Sequence, residues 1–423
     1  MNIHTDGRNP STPDSEAILK RQRLVRGFPV VAFSIFASML GLGIVAPILP
    51  LYAIDRGASG LWIGVIFGSY SVSRATLMPL FGWLSDRRGR KIFLSIGLLT
   101  CGIISFGYAL ASSPELLTLV RVLHGAASAM VVPIANAWVG EMSPHGEEGK
   151  WMGYFNTAFF VGFGVGPLLD GIIADYFGMS SAFTAMGIIT LAGFIAVVGL
   201  LPESYKVQAK KLGSGSFKNM SKSGPMRGLF TYRMMFELCN GAFMAFLPIF
   251  AGIHLGIGPT LIGLLVAINL LLSSLLQIYT GRLADRFNRR LLLIGGSVFN
   301  FLTLTVIPLS GSFWHLLLIM LIRILGAVVT MPAMAALTVE EGRRFGMGTT
   351  ASILATATSI GMALGPIMGG AVNDISNTGM VFIFSSVMGM LGTGVYAWFS
   401  RKPDGAAVPK GDRGTATTRS QSP

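Results

Sequence analysis

Apolar runs of about 20 residues recur along most of this 423-residue chain, and they decide more about its fold than any other feature. A helix of roughly that length crosses the hydrocarbon of a bilayer, which is about 30 Å thick. Twelve runs qualify: 28–53, 61–82, 92–111, 115–139, 150–174, 180–201, 230–254, 260–281, 291–311, 313–338, 347–372 and 378–400. They are continuous rather than alternating, which excludes a membrane β-barrel. With 52% apolar and only 12% charged residues, the chain cannot clothe a water-soluble domain of this length. The expected fold class is an all-α membrane protein with twelve transmembrane helices.

The net charge of +13 is concentrated in alternate loops. Lys20, Arg21, Arg23 and Arg26 precede the first span, Arg87, Arg88, Arg90 and Lys91 follow the second, and Arg282, Arg286, Arg289 and Arg290 follow the eighth. The intervening loops hold little more than Asp55, Arg56, Glu115, Asp175 and Asp374. Cations are retained on the cytoplasmic side during insertion, so both termini are expected there. Basic residues spread over short loops do not make a nucleic-acid surface, and no nucleic-acid partner is expected. The first run is too long for the apolar core of a signal peptide, and no cleaved leader is expected. Cys101 and Cys239 fall inside spans, where they serve packing rather than a disulfide.

A polar linker at 202–229, containing KKLGSGSFKNMSKSGP, separates six spans from six. The expected organisation is a tail at 1–27, a six-helix bundle at 28–201, the linker, a second bundle at 230–400 and a tail at 401–423. The halves repeat each other. GWLSDRRGRK at 82–91 recurs as GRLADRFNRR at 281–290, so Asp86 maps to Asp285 and Arg90 to Arg289 at an offset of 199. The same offset carries Glu141 onto Glu340 and GPLLDG at 166–171 onto GPIMGG at 365–370. A duplicated unit places a substrate path at the interface of the two copies.

Three motifs then carry a resemblance to the major facilitator superfamily, within it to the twelve-helix drug:proton antiporter branch, over residues 28–400. GWLSDRRGRK resembles that family's loop signature, with Gly82, Asp86 and Arg90 in place. RVLHGAASAMVVPIANAW, starting at Arg121, resembles its fourth-helix motif. GFGVGPLLDG, with Gly162, Gly166 and Pro167, resembles its fifth-helix antiporter motif, except that Asp170 stands where the pattern has Gly; Gly365 and Pro366 mark the second copy. The resemblance implies two pseudo-symmetric six-helix bundles, export as the default direction, and a cytoplasmic gate formed by Gly82, Asp86, Arg90 and Glu141, with Asp285, Arg289 and Glu340 as a degenerate second version. From the residues alone, Gly82 lets two helices approach closely, and Arg90 can pair with Asp86 and Glu141; the simpler reading is that the cations enforce topology.

Ionisable groups inside spans are costly and mark function, unless they reach the interface from helix ends. Arg74 lies near the middle of the second span with Tyr70 and Ser71 on its face, placing it in a central cavity. Arg323 is well inside the tenth span. Arg121 and His124 share the fourth, and the resemblance implies helix orientation or proton coupling for Arg121. Glu237, with Asn240 on its face, is either a reversible proton carrier or an interfacial residue paired with Arg233. Asp170 is expected near the far end of the fifth span, in a gate or interfacial role. His124, His254 and His315 are dispersed, so no metal site is expected, and no cofactor. The glycine motifs lie within apolar runs and lack the Lys-Ser/Thr of a phosphate loop, and no nucleophile–base or paired-carboxylate constellation marks an enzyme.

The chain is therefore expected to be a secondary transporter in a bacterial inner membrane or one derived from it. Its expected partners are a small-molecule substrate, protons and the lipid bilayer, and a monomer suffices. Proton-coupled efflux of amphipathic compounds is the expected activity, and proton-coupled uptake of an organic anion or metal chelate, with Arg74 and Arg323 as counter-charges, is the alternative.

Overall fold

The computed structural model describes residues 13–143, 147–202 and 223–400, without the side chains of 13–25, 148, 278 and 281–285. The heart of the linker and the C-terminal tail expected from the sequence lie outside the described residues. The helices are α1 (Pro13–Asp55), α2 (Gly60–Arg88), α3 (Arg90–Leu110), α4 (Pro114–Ser128), α5 (Val132–Met142), α6 (Glu148–Phe177) and α7 (Met179–Leu200), then α8 (Gly224–Ile249), α9 (Pro259–Arg286), α10 (Arg289–Leu304), α11 (Phe313–Phe345), α12 (Met347–Ile375) and α13 (Thr378–Phe399). Their starts follow local chemistry: Ser59, Ser113, Ser312 and Asn377 cap α2, α4, α11 and α13 by accepting a backbone N–H three residues on.

Two elements differ from the sequence reading. Helix α1 begins at Pro13, inside the expected tail. The fourth span is two helices, α4 and α5, which form one crossing. Pro133 in the first turn of α5 has no N–H to give the carbonyl one turn earlier, and the helix breaks there. Among the described residues, eleven segments are long and apolar enough to cross a membrane, and α2 is the remaining crossing.

The helices form two six-crossing bundles, α1–α7 and α8–α13, built alike. In the first, Gly162 and Gly166 of α6 lie on Phe36, Leu40 and Gly43 of α1; in the second, Gly361 and Gly365 of α12 lie on Met234 and Leu238 of α8. Without a hydrophobic drive between helices in lipid, such backbone contact is what holds them together.

The bundles meet along two seams, α2 on α12 and α6 on α9. Gly60, Gly64 and Gly68 face Gly370, Pro366 and Ala363; Gly171 and Gly263 face Pro259 and Pro167. The seams are copies, since Gly64 and Pro366 become Gly263 and Pro167 under the offset of 199. Both occupy the half of the molecule away from the basic loops, termed the far side. Ile44, Ile48 and Tyr52 of α1 pack there with Ala242, Ala245 and Phe246 of α8. On the near side the bundles diverge.

Candidate functional site

A cavity of about 950 Å³ lies between the bundles, on the near side of the seams. Its walls are largely apolar, with Met78, Met244, Met331, Phe160 and Phe163 among them, and its charged groups are Arg74, Arg121, Arg233 and Glu237. Three cations against one acid leave an excess of positive charge in a low-dielectric recess.

Helix α2 brings Phe67, Tyr70, Ser71, Arg74 and Met78 to the cavity at helical spacing. This polar stripe is also why α2 is the least apolar crossing. Among the described residues no carboxylate pairs with Arg74. Arg121, 3% exposed, lies over the rings of Tyr70 (4.4 Å) and Phe67 (5.1 Å), an arrangement that favours a cation. Its Nε donates to the Ile66 carbonyl at 3.4 Å, and one terminal nitrogen has no hydrogen-bond acceptor among the described residues. Tyr70 is fixed by Ser128, with 2.8 Å between the hydroxyls.

Glu237 is 6% exposed and its carboxylate meets Arg233, one turn earlier on α8, at 2.9 Å. The two readings of this residue are thus not exclusive: it is paired with Arg233 and it lines the cavity. Arg233 also donates to the Thr358 hydroxyl at 2.8 Å, so α8 and α12 hold the pair jointly. Gly361 gives α12 room beside Glu237, and Asn240 adjoins the carboxylate.

Three expected pathway residues, Asn240, Arg323 and His124, are not among those that line the cavity. Arg323 is buried between α11 and α8 with its guanidinium 4.0 Å from the centre of the Phe243 ring, because its direction on α11 points into the bundle. His124 points into the first bundle as well, its Nδ1 2.9 Å from the Tyr108 hydroxyl and its ring edge-on to Tyr70.

The near-side motif forms a compact ion cluster. Arg90 meets Asp86 and Glu141 at 2.5 Å each, and donates to the Ser85 hydroxyl at 2.6 Å. All these groups belong to the first bundle, so in this arrangement the cluster braces α2, α3 and α5 against one another. Gly82 does not mediate a close approach in this arrangement, since a Cβ added there would meet nothing within 4 Å among the described residues. The glycine that the backbone requires is Gly89, whose φ of 103° lets α2 turn directly into α3. Gly89→Ala is expected to destabilise the protein by about 1–3 kcal/mol through backbone strain alone, and a thermal melt in detergent measures it. An unchanged melt would show that this turn tolerates an L side chain.

In the second copy, Arg289 meets Glu340 at 3.7 Å with both side chains about half-exposed, and the Asp285 side chain lies outside the described residues. Asn288, the counterpart of Gly89, instead accepts the Arg290 and Leu291 N–H groups at the start of α10. In the fifth-helix motif, Asp170 is not interfacial. It is 0% exposed, both carboxyl oxygens lack a hydrogen-bond partner among the described residues, and it lies one turn beyond Gly166 on the face that packs against α1.

The sequence model of the Major Facilitator Superfamily matches this chain twice, at residues 31–257 and 229–421. The chain belongs to the Major Facilitator Superfamily. It is 28% identical to an uncharacterized MFS-type transporter of Methanocaldococcus jannaschii over 87% of this chain and 97% of that one. It is 26% identical to Multidrug resistance protein 2 of Bacillus subtilis, over 90% and 97% of the two chains. The fold matches that of a bacterial homolog of the human lysosomal transporter Spinster, solved inward-facing and unoccupied, with a TM-score of 0.75 at 15% identity over 90% and 97% of the chains. As a Major Facilitator Superfamily member it is an integral membrane transporter of a small molecule and not an enzyme. In this cavity both bundles offer charged side chains to a cargo.

Proposed function

We propose that the transporter exports amphipathic compounds in exchange for protons by alternating access. Its place is a bacterial inner membrane, with both termini and the open near side cytoplasmic. The observation that carries this reading is Glu237, a carboxylate in the cavity wall held by one cation, Arg233, that can be released without unfolding anything. Cargo and proton then compete at one place, and a proton entering from the far side displaces the cargo. The Met- and Phe-rich walls suit varied apolar bodies, since Met side chains repack at little cost. The name of the Bacillus subtilis relative supports export.

A second reading, uptake of an organic anion or metal chelate together with protons, is favoured by one observation: Arg74 and Arg121 have no carboxylate partner among the described residues. The two readings have opposite linkage. A cationic amphiphile competes with a proton at Glu237, whereas an anion in the same recess favours proton binding. In weakly buffered detergent solution, tetraphenylphosphonium binding releases protons under the first reading. Proton uptake on adding a naphthalene sulfonate, with no response to the phosphonium, would replace it with the second. Arg74→Ala is expected to weaken anion binding roughly ten- to a hundred-fold and leave cation binding unchanged. Unaltered anion binding in titration calorimetry would assign Arg74 to packing.

A further inference from the structure

Among the described residues, the hydrogen bonds that join the two bundles all lie at the far side, and all of them involve the first turn of α2 or of α9. Asp374, in the last turn of α12, accepts the Gly60 N–H at 2.6 Å and the Leu61 N–H at 2.8 Å, one with each carboxylate oxygen. Asp175, in the last turn of α6, accepts the Thr260 N–H at 3.0 Å and the Thr260 hydroxyl through a very short contact. The Thr260 hydroxyl also donates to the Gly171 carbonyl at 3.2 Å. Asp175 and Asp374 are related by the offset of 199, as are Leu61 and Thr260. One device is therefore present twice: a carboxylate from one bundle caps a helix of the other.

The first N–H groups of a helix have no partner inside it, and they carry the positive end of its dipole. Supplying the cap from the opposite bundle makes its satisfaction conditional on closure. When the far side opens, both carboxylates and both helix ends must turn to water. The glycine seams beneath give the backbone contact, but shape alone does not distinguish a closed seam from one slid by a turn. The caps fix that register.

We propose that Asp175 and Asp374 are paired far-side latches that hold the outer gate shut while the cavity is open to the near side, and that their release is a step of the transport cycle. The inference rests on the family's alternating access and not on the cargo or the direction of transport. It gives the far side a charge-based lock of its own, made between the bundles, whereas the described partners of Arg90 all belong to its own bundle.

Pulsed electron spin resonance tests it directly on the full chain in lipid nanodiscs. Leu110 and Leu309, each 80% exposed at the far ends of α3 and of the segment after α10, are copies under the same offset and suit cysteine labels once Cys101 and Cys239 are replaced. The unaltered protein is expected to give mainly the short, closed distance. Asp374→Ala and Asp175→Ala are each expected to raise the ratio of long to short distances roughly five-fold, and the double variant by about the product, because the latches sit on separate helix pairs. Asp374→Asn, which keeps an acceptor but loses the charge, is expected to fall between. Asp55→Ala is the control, an exposed far-side acid that bridges nothing across the bundles among the described residues. An unchanged distance ratio in the double alanine variant, or an equal shift in the Asp55 control, would overturn the proposal.

Discussion

Glu237→Gln is expected to abolish uphill, proton-driven transport while sparing exchange of cargo for cargo. Glutamine keeps the size of the side chain and an oxygen for Arg233, whose guanidinium lies 2.9 Å from the present carboxylate. What it cannot do is take up and release a proton. A carrier that need not return empty can still swap labelled for unlabelled cargo, because that half-cycle uses only the cavity. Accumulation against a gradient should then fall to the equilibrium level, with exchange within a few-fold of the unaltered protein. Uphill accumulation that persists in Glu237→Gln would remove this residue from the coupling.

The glycines divide into two classes with different expected failures. Gly162 and Gly365 face helix backbone within their own bundle, where an added Cβ would overlap Phe36 and Leu238. Valine at either position is expected to cost about 3 kcal/mol or more and to leave little monodisperse protein on size exclusion. Gly64 and Gly263 face the carbonyls of Pro366 and Pro167 in the opposite bundle. Valine there leaves each bundle intact and blocks only far-side closure. These variants are expected to purify normally, to lose transport at least ten-fold, and to give mainly the long distance between spin labels at Leu110 and Leu309. Normal transport by Gly64→Val would show that the seam does not need to close so tightly.

Much of this architecture is legible in the sequence because its signals run along one dimension. Apolar runs count the crossings, the distribution of cations marks one face, and the offset of 199 reveals the duplication. What stayed hidden depends on direction around a helix. Arg323 sits well inside α11 and yet points at Phe243, because its azimuth and not its depth decides what it meets. Gly82 belongs to a dense motif but faces open space, while the backbone requirement falls on Gly89. Pro133 could have announced the break between α4 and α5. Asp175 and Asp374 were visible only as scattered loop acids; aligning the repeats would have paired them, but their helix-end partners come from the opposite bundle, which no single stretch of sequence contains.

The central claim, that cargo leaves in exchange for protons through this cavity, is tested most directly by proton movement in proteoliposomes with a pH-sensitive dye trapped inside. Challenge with a lipophilic cation, an organic anion and a metal chelate in turn should show protons moving opposite to the amphipathic cation, and the signal should vanish in Glu237→Gln. Protons entering together with the anion or the chelate, and no response to the cation, would contradict the account and make this protein an importer.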